Sequence, residues 1–188
     1  MTNTAAWLLD QAGLLPAARY VPSPNFDDRP AGAAIELLVV HNISLPPGQF
    51  GGPGIIDLFT NRLDPNAHPY YRRIADAKVS SHFLIRRDGA LIQFVPCSGR
   101  AWHAGQSEWR GRSRCNDFSV GVELEGADDQ PFGDSQYAIL ARLAGMLLSE
   151  YPIQECVGHS DIATPPGRKT DPGPLFDWPR FRAMLEER

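Results

Sequence analysis

The sequence predicts one mixed α/β (α+β) domain, a central mixed β-sheet flanked by helices. Three stretches carry this prediction. IELLVVHN (35–42) is an unbroken apolar, β-branched run, as expected of a buried strand near the sheet centre. SSHFLIRRDGALIQFVP (80–96) holds two strand-like runs around Asp88-Gly89, a pair that favours the tight turn of a hairpin. DSQYAILARLAGMLLSEY (134–151) repeats apolar residues at helical spacing. At 188 residues the chain can bury one real core and is short for two, so residues 1–188 are read as a single domain.

The remaining elements follow in chain order. Pro53 suits a helix first turn, and GGPGIIDLFTNRL predicts a helix over about 53–62. PYYRRIADA (69–77) is a weaker helix pattern. FSVGVELEG (118–126) alternates, with Val120, Val122 and Leu124 on one strand face and Gly121, Glu123 and Glu125 on the other. In the long helix Asp134 or Ser135 is the expected cap, and Ile139, Leu140, Leu143 and Leu147 form the apolar stripe. IQECVGHSD (153–161) gives a short strand leading into GHSDIATPPGRKTDPGP (158–174). That segment has too little apolar surface for core and too many prolines and glycines for a floppy tail. No internal repeat, low-complexity tract or linker interrupts the pattern.

Composition excludes several classes. A net charge of −4 argues against non-specific nucleic-acid binding, which depends on phosphate neutralisation. No stretch reaches the length of apolar residues that spans a bilayer, and the first twenty residues lack the charged and apolar regions of a secretory signal. Cys97, Cys115 and Cys156 form no CxxC pair and are odd in number. A reducing, cytoplasmic setting is the simplest expectation.

Two of the five histidines stand where strands run out: His41 after LLVV, and His159 after CVG. Groups held at strand ends reach a cleft. Neutral imidazole is a good zinc ligand and a carboxylate often joins it, leaving a fourth position for water. Asp171, confined by Thr170 and Pro172, is a candidate. Cys156 and Asp161 remain alternatives, because His159-x-Asp161 would share one face of a strand. Either histidine could instead be a packing residue, and Asp171 a turn cap. Glu123 in an apolar strand is costly unless solvated or paired. Beside a metal it would serve as general base; otherwise it and Glu125 face water. Lys169 is a surface lysine or a donor to an oxyanion. Trp102, in RAWHAGQS, is an aromatic wall for a sugar or peptide, or a loop anchor. Lys78, Arg86, Arg87, Arg114 and Arg168 could hold carboxylates, although scattered basic residues are mostly solvated.

Taken together, LLVVHNISLPPGQFGGPGI, HFLIRRDGALIQFVP, RAWHAG, CNDFSVGVELEG and RKTDPGPLFDW resemble the zinc-dependent N-acetylmuramoyl-L-alanine amidase family. The likeness extends over about 19–185 and is strongest to its cytosolic members that act on 1,6-anhydromuramyl peptides. The resemblance implies an amidase or peptidoglycan-recognition-like fold. It implies one Zn2+ per chain on His41, His159 and Asp171, with Glu123 as acid/base and Lys169 as transition-state stabiliser. It places Asn42, Lys78, Trp102, Arg114 and Arg168 along the substrate groove, and His82 and His103 in supporting roles. The expected partner is an anhydromuropeptide substrate, with no nucleic acid, no membrane and a monomeric chain. It further implies a cytoplasmic role in muropeptide recycling and an indirect link to β-lactamase induction. Two departures stand out: the loop from His159 to Asp171 is slightly longer than the family pattern, and Lys78 replaces an arginine, losing the bidentate fork. The rival expectations are a wall-lysing amidase acting on intact murein and a non-catalytic peptidoglycan-binding module. The complete His41, His159, Asp171 set speaks against the binding module.

Overall fold

The computed structural model describes residues 4–187. Among these residues ten strands form: β1 (Arg19–Tyr20), β2 (Phe26–Asp28), β3 (Leu37–Ile43), β4 (Phe83–Ile85), β5 (Leu91–Gln93), β6 (Gly99–Ala101), β7 (Glu108–Trp109), β8 (Arg112–Ser113), β9 (Ser119–Glu125) and β10 (Glu155–Gly158). Four helices accompany them: α1 (Gly54–Phe59), α2 (Asp134–Glu150), α3 (His159–Ile162) and α4 (Trp178–Glu186). The main sheet has the order β1-β5-β4-β9-β3-β10. Its β4, β9, β3 and β10 are mutually parallel, while β5 and β1 run the other way. The predicted mixed sheet with flanking helices is therefore the observed one.

The sheet's two faces have different cover. Leu38, Val40, Val120, Val122 and Leu124 join Leu140, Leu143 and Leu147 of α2 and Phe181 of α4 in one core. Each such buried aliphatic side chain contributes about 1.5–3 kcal/mol of burial free energy. The opposite face is covered by loops and short helices, where Leu58 and Phe59 of α1 pack on Leu84, Ile92 and Phe94. Loops can end in polar groups where helices would present only an apolar stripe, so the site forms on this second face. His41, Gly121 and Glu123 stand on it.

The hairpin closes as predicted: Arg86 and Ala90 are bonded, and Gly89 takes a left-handed φ of 87°. Several expectations need correction. The predicted 53–62 helix stops at Phe59, because Asn61 adopts φ 58° and exchanges amide hydrogen bonds with Asn25. PYYRRIADA forms a single 3-10 turn, Tyr71–Arg73, rather than an α-helix. The cap of α2 is Gly133, whose N–H donates to Gln136 Oε1, and Asp134 lies inside the helix. Glu125 does not face water: it is buried and accepts from the Gly51 and Arg87 N–H groups and from Arg86 Nη1.

Candidate metal and catalytic site

Strand register builds the site. In the β3/β9 pair His41 lies opposite Glu123. In the β3/β10 pair Gly158 lies beside Val40, so His159, the next residue, emerges next to His41. The loop 158–174 then returns Asp171, and it is firmly tied. The Ser160 N–H donates to the Asp171 carbonyl, and Arg168 donates to the carbonyls of Ala104, Gln106 and Thr164. Asn42 Nδ2 donates to the Pro172 carbonyl and to Asp128.

The result is a tight triangle of donor atoms. His41 Nδ1 is 2.9 Å and His159 Nδ1 3.0 Å from Asp171 Oδ2, and the two nitrogens are 3.1 Å apart. Among the described residues this trio forms a group of side chains suited to a metal ion. The corners of such a triangle lie about 1.7 Å from its centre, inside the roughly 2.0–2.1 Å reach of zinc–nitrogen and zinc–oxygen bonds. The three atoms are thus spaced as ligands of a single zinc ion would be.

The outer nitrogens support the same reading. His159 Nε2 donates to the Ala104 carbonyl at 3.0 Å, which leaves Nδ1 with its lone pair toward Asp171. His41 Nε2 meets His103 Nδ1 at 3.0 Å. Burial, the largest influence, pulls His41 down to about 4, so the ring is neutral at pH 7 as a ligand must be.

Glu123 is the unusual carboxyl. It is buried, and its Oε2 has no hydrogen-bond partner. Burial first, then the nearby Asp171 charge, push its pKa well above normal, opposed by Lys169. A carboxyl raised in this way keeps its proton more readily than an ordinary glutamate, the kind of perturbation found in acid/base groups. Glu123, Lys169, His41, His159 and Asp171 line one cleft of about 390 Å³.

The family model described as N-acetylmuramoyl-L-alanine amidase matches residues 31–174. This chain belongs to the N-acetylmuramoyl-L-alanine amidase family. The 1,6-anhydro-N-acetylmuramyl-L-alanine amidase AmpD of Escherichia coli (strain K12) is 56% identical over 182 residues, covering 96% of this chain and 98% of that protein. A crystal structure of a selenomethionine AmpD derivative superposes with a TM-score of 0.91 at 58% identity, covering 95% of this chain and 99% of that one. The amidase AmiD from E. coli, in complex with the substrate anhydro-N-acetylmuramic acid-L-Ala-D-gamma-Glu-L-Lys, gives a TM-score of 0.59 at 33% identity, over 83% of this chain and 60% of that one.

Within this amidase the other expected residues are placed unequally. Trp102 and Asn42 line the cleft, with the Trp102 indole donating to Asp27 and the Asn42 amide committed to the loop. Arg168 sits in an adjoining polar hollow with Lys169, its guanidinium spent on the three carbonyls named above. Lys78 is exposed and is not among the cleft-lining residues, although its neighbours Ala77 and Val79 are. Arg114 is exposed, pairs with Asp117 and faces a different hollow. Asp161 is not on a strand face with His159: both lie in α3, and Asp161 accepts from the Gly158 N–H. Cys156 is spent on β10, facing a hollow away from the cleft. His82 is buried between the Gly121 N–H, the Gly99 carbonyl and Arg29. Sequence reasoning missed the apolar wall, formed by Ile43, Leu45, Leu58, Phe59, Ile74 and Val79. No local signal marks it, since each residue reads as ordinary core and only the fold gathers them.

Proposed function

We propose that this amidase hydrolyses the amide between the lactyl carbonyl of N-acetylmuramic acid, in its 1,6-anhydro form, and the L-alanine of the stem peptide. The observation that carries the reading is the convergence of His41, His159 and Asp171 in one cleft with the unpaired buried carboxyl of Glu123. Relatives covering nearly the whole chain bear the name of this reaction. Two imidazoles and a carboxylate suit zinc, and His41, His159 and Asp171 would hold one ion. Bound there, zinc supplies Lewis-acid polarisation of the amide carbonyl and acidifies the attacking water.

The chain's own groups do the rest. Glu123 accepts a proton as the water oxygen bonds to the carbonyl carbon. It returns that proton to the alanine nitrogen as the carbon–nitrogen bond breaks. The Lys169 ammonium donates to the developing oxyanion. Trp102 and the apolar wall receive the sugar, and Asn42 and Arg168 shape the peptide side through the loop they hold. Lys78 and Arg114 would meet only parts of a substrate that extend past the cleft. None of the helices among the described residues is long and apolar enough to cross a membrane. A monomer working on recycled wall fragments in the cytoplasm completes the reading.

The test is mass spectrometry of 1,6-anhydromuramyl-tripeptide incubated with the protein, with and without a zinc chelator. Free tripeptide should appear, vanish with chelator and return with zinc. Intact substrate in the presence of bound zinc would overturn the reading. Preferential release of peptide from intact murein would favour a wall-lysing enzyme instead.

A further inference from the structure

We propose that His103 is a positioning residue for the metal site, holding the His41 ring through His41 Nε2–H, and that Ser119 and Gly121 of β9 form the seat that holds His103. The inference rests on the metal reading above. A histidine that binds a metal through Nδ1 carries its proton on Nε2, and that N–H needs an acceptor when buried. His159 has the Ala104 carbonyl, which can only accept. His41 has another imidazole, which accepts at Nδ1 only if its own proton is on Nε2. Ser119 Oγ, 3.1 Å from His103 Nε2, is placed to receive that proton's hydrogen bond. The series His41, His103, Ser119 therefore has one consistent direction when His41 is a ligand.

Shape supports the same assignment. The His103 ring lies directly over Gly121, where an added Cβ would come within 2.5 Å of it. A ring could not lie there over any other residue. The His41 and His103 rings meet edge-on, 5.1 Å apart at 86°. One side chain sets both outer partners at once: Asn116 Oδ1 accepts from the N–H groups of His103 and Ala104, at 3.2 Å and 2.8 Å. Neighbouring residues 103 and 104 thus orient His41 and His159 respectively. On β9, Ser119, Gly121 and Glu123 share a face as partner to His103, floor beneath it and carboxyl beside the metal site. That explains a glycine inside a fully buried strand, where glycine otherwise weakens pairing.

The experiment measures zinc affinity by chelator competition in wild type, His103→Leu, His103→Asn and Gly121→Ala. Alongside, the His41 Nε2–H proton is followed by NMR in each zinc-loaded protein, with the unfolding midpoint as a folding control. His103→Leu should bind zinc about 10–100-fold more weakly, and the His41 Nε2–H signal should exchange into water. Asn Oδ1 falls near the position of His Nδ1, so His103→Asn should recover most of the affinity and the protected proton. Gly121→Ala alters no group in the series but displaces the ring, and should resemble His103→Leu. Wild-type affinity and a protected proton in folded His103→Leu would overturn the assignment and leave the metal reading standing. A wild-type chain that binds no zinc would overturn the metal reading, and the assignment with it.

Discussion

Glu123→Gln should make the metal-free protein more stable while removing most of its activity. Glu123 is 8% exposed and its Oε2 has no partner. A buried, unsatisfied polar group costs about 1–3 kcal/mol, more when charged. Glutamine keeps the shape and a polar amide, so only the charge-dependent part is recovered, on the order of 1–2 kcal/mol near pH 8. For a domain of this size that is about 2–8 °C in unfolding midpoint. The sign with pH is fixed by the raised pKa. The folded state binds this proton more tightly than the unfolded one, whose Glu titrates near 4.5. Wild-type stability therefore falls as pH rises from there through the folded value, and the variant escapes that fall. The gap should vanish below about pH 4, where both states carry a protonated Glu, and widen toward pH 8. Thermal unfolding of stripped protein across this range reads it directly. A gap that is constant with pH, or a wild type that is the more stable at pH 8, would refute the reasoning. In the zinc-loaded enzyme kcat should fall about 10²–10⁴-fold, the usual share of a general base.

Three further outcomes are expected. Lys169→Met should lower kcat by about 10²–10³ with little change in zinc stoichiometry; an unchanged kcat would remove Lys169 from the chemistry. Arg29→Met should cost about 1.5–3 kcal/mol in urea unfolding, because Arg29 donates to the carbonyls of Cys97, Asn116, Asp117 and Ser119 from a partly buried position. Leu143→Ala, deep in the α2 core, should cost about 2–5 kcal/mol and leave zinc stoichiometry at 25 °C intact, since that core lies across the sheet from the site.

Strands that satisfy one strong local rule were readable from sequence. The apolar run of β3, the Asp88-Gly89 hairpin and the alternation in β9 each follow from side-chain period or turn chemistry, and tertiary packing only reinforces them. The α2 stripe is legible for the same reason. The shortened α1 was not legible, because its end is decided by Asn61 bonding to Asn25, 36 residues away. The fate of the two β9 glutamates was equally hidden. Alternation shows that they share a face but not that loops cover it, nor that Glu125 is satisfied by Arg86 and Gly51 while Glu123 is left unpaired. Strand ends pointed to His41 and His159 as neighbours. Choosing Asp171 over Asp161 needed the return of the 158–174 loop, which spacing alone does not supply. The scattered basic residues show the limit most plainly: Arg86 and Arg168 are consumed by internal bonds, and Lys78 and Arg114 stand outside the cleft.

The most direct test of the central claim is a zinc titration of protein stripped of metal, following release of peptide from 1,6-anhydromuramyl-tripeptide. Activity should rise in proportion to added zinc and level off at one ion per chain. His41→Ala, His159→Ala and Asp171→Ala should each stay inactive at the same zinc concentration while remaining folded. Full activity in the stripped protein, or a titration unaffected by these three substitutions, would contradict the assignment of the reaction to this metal site.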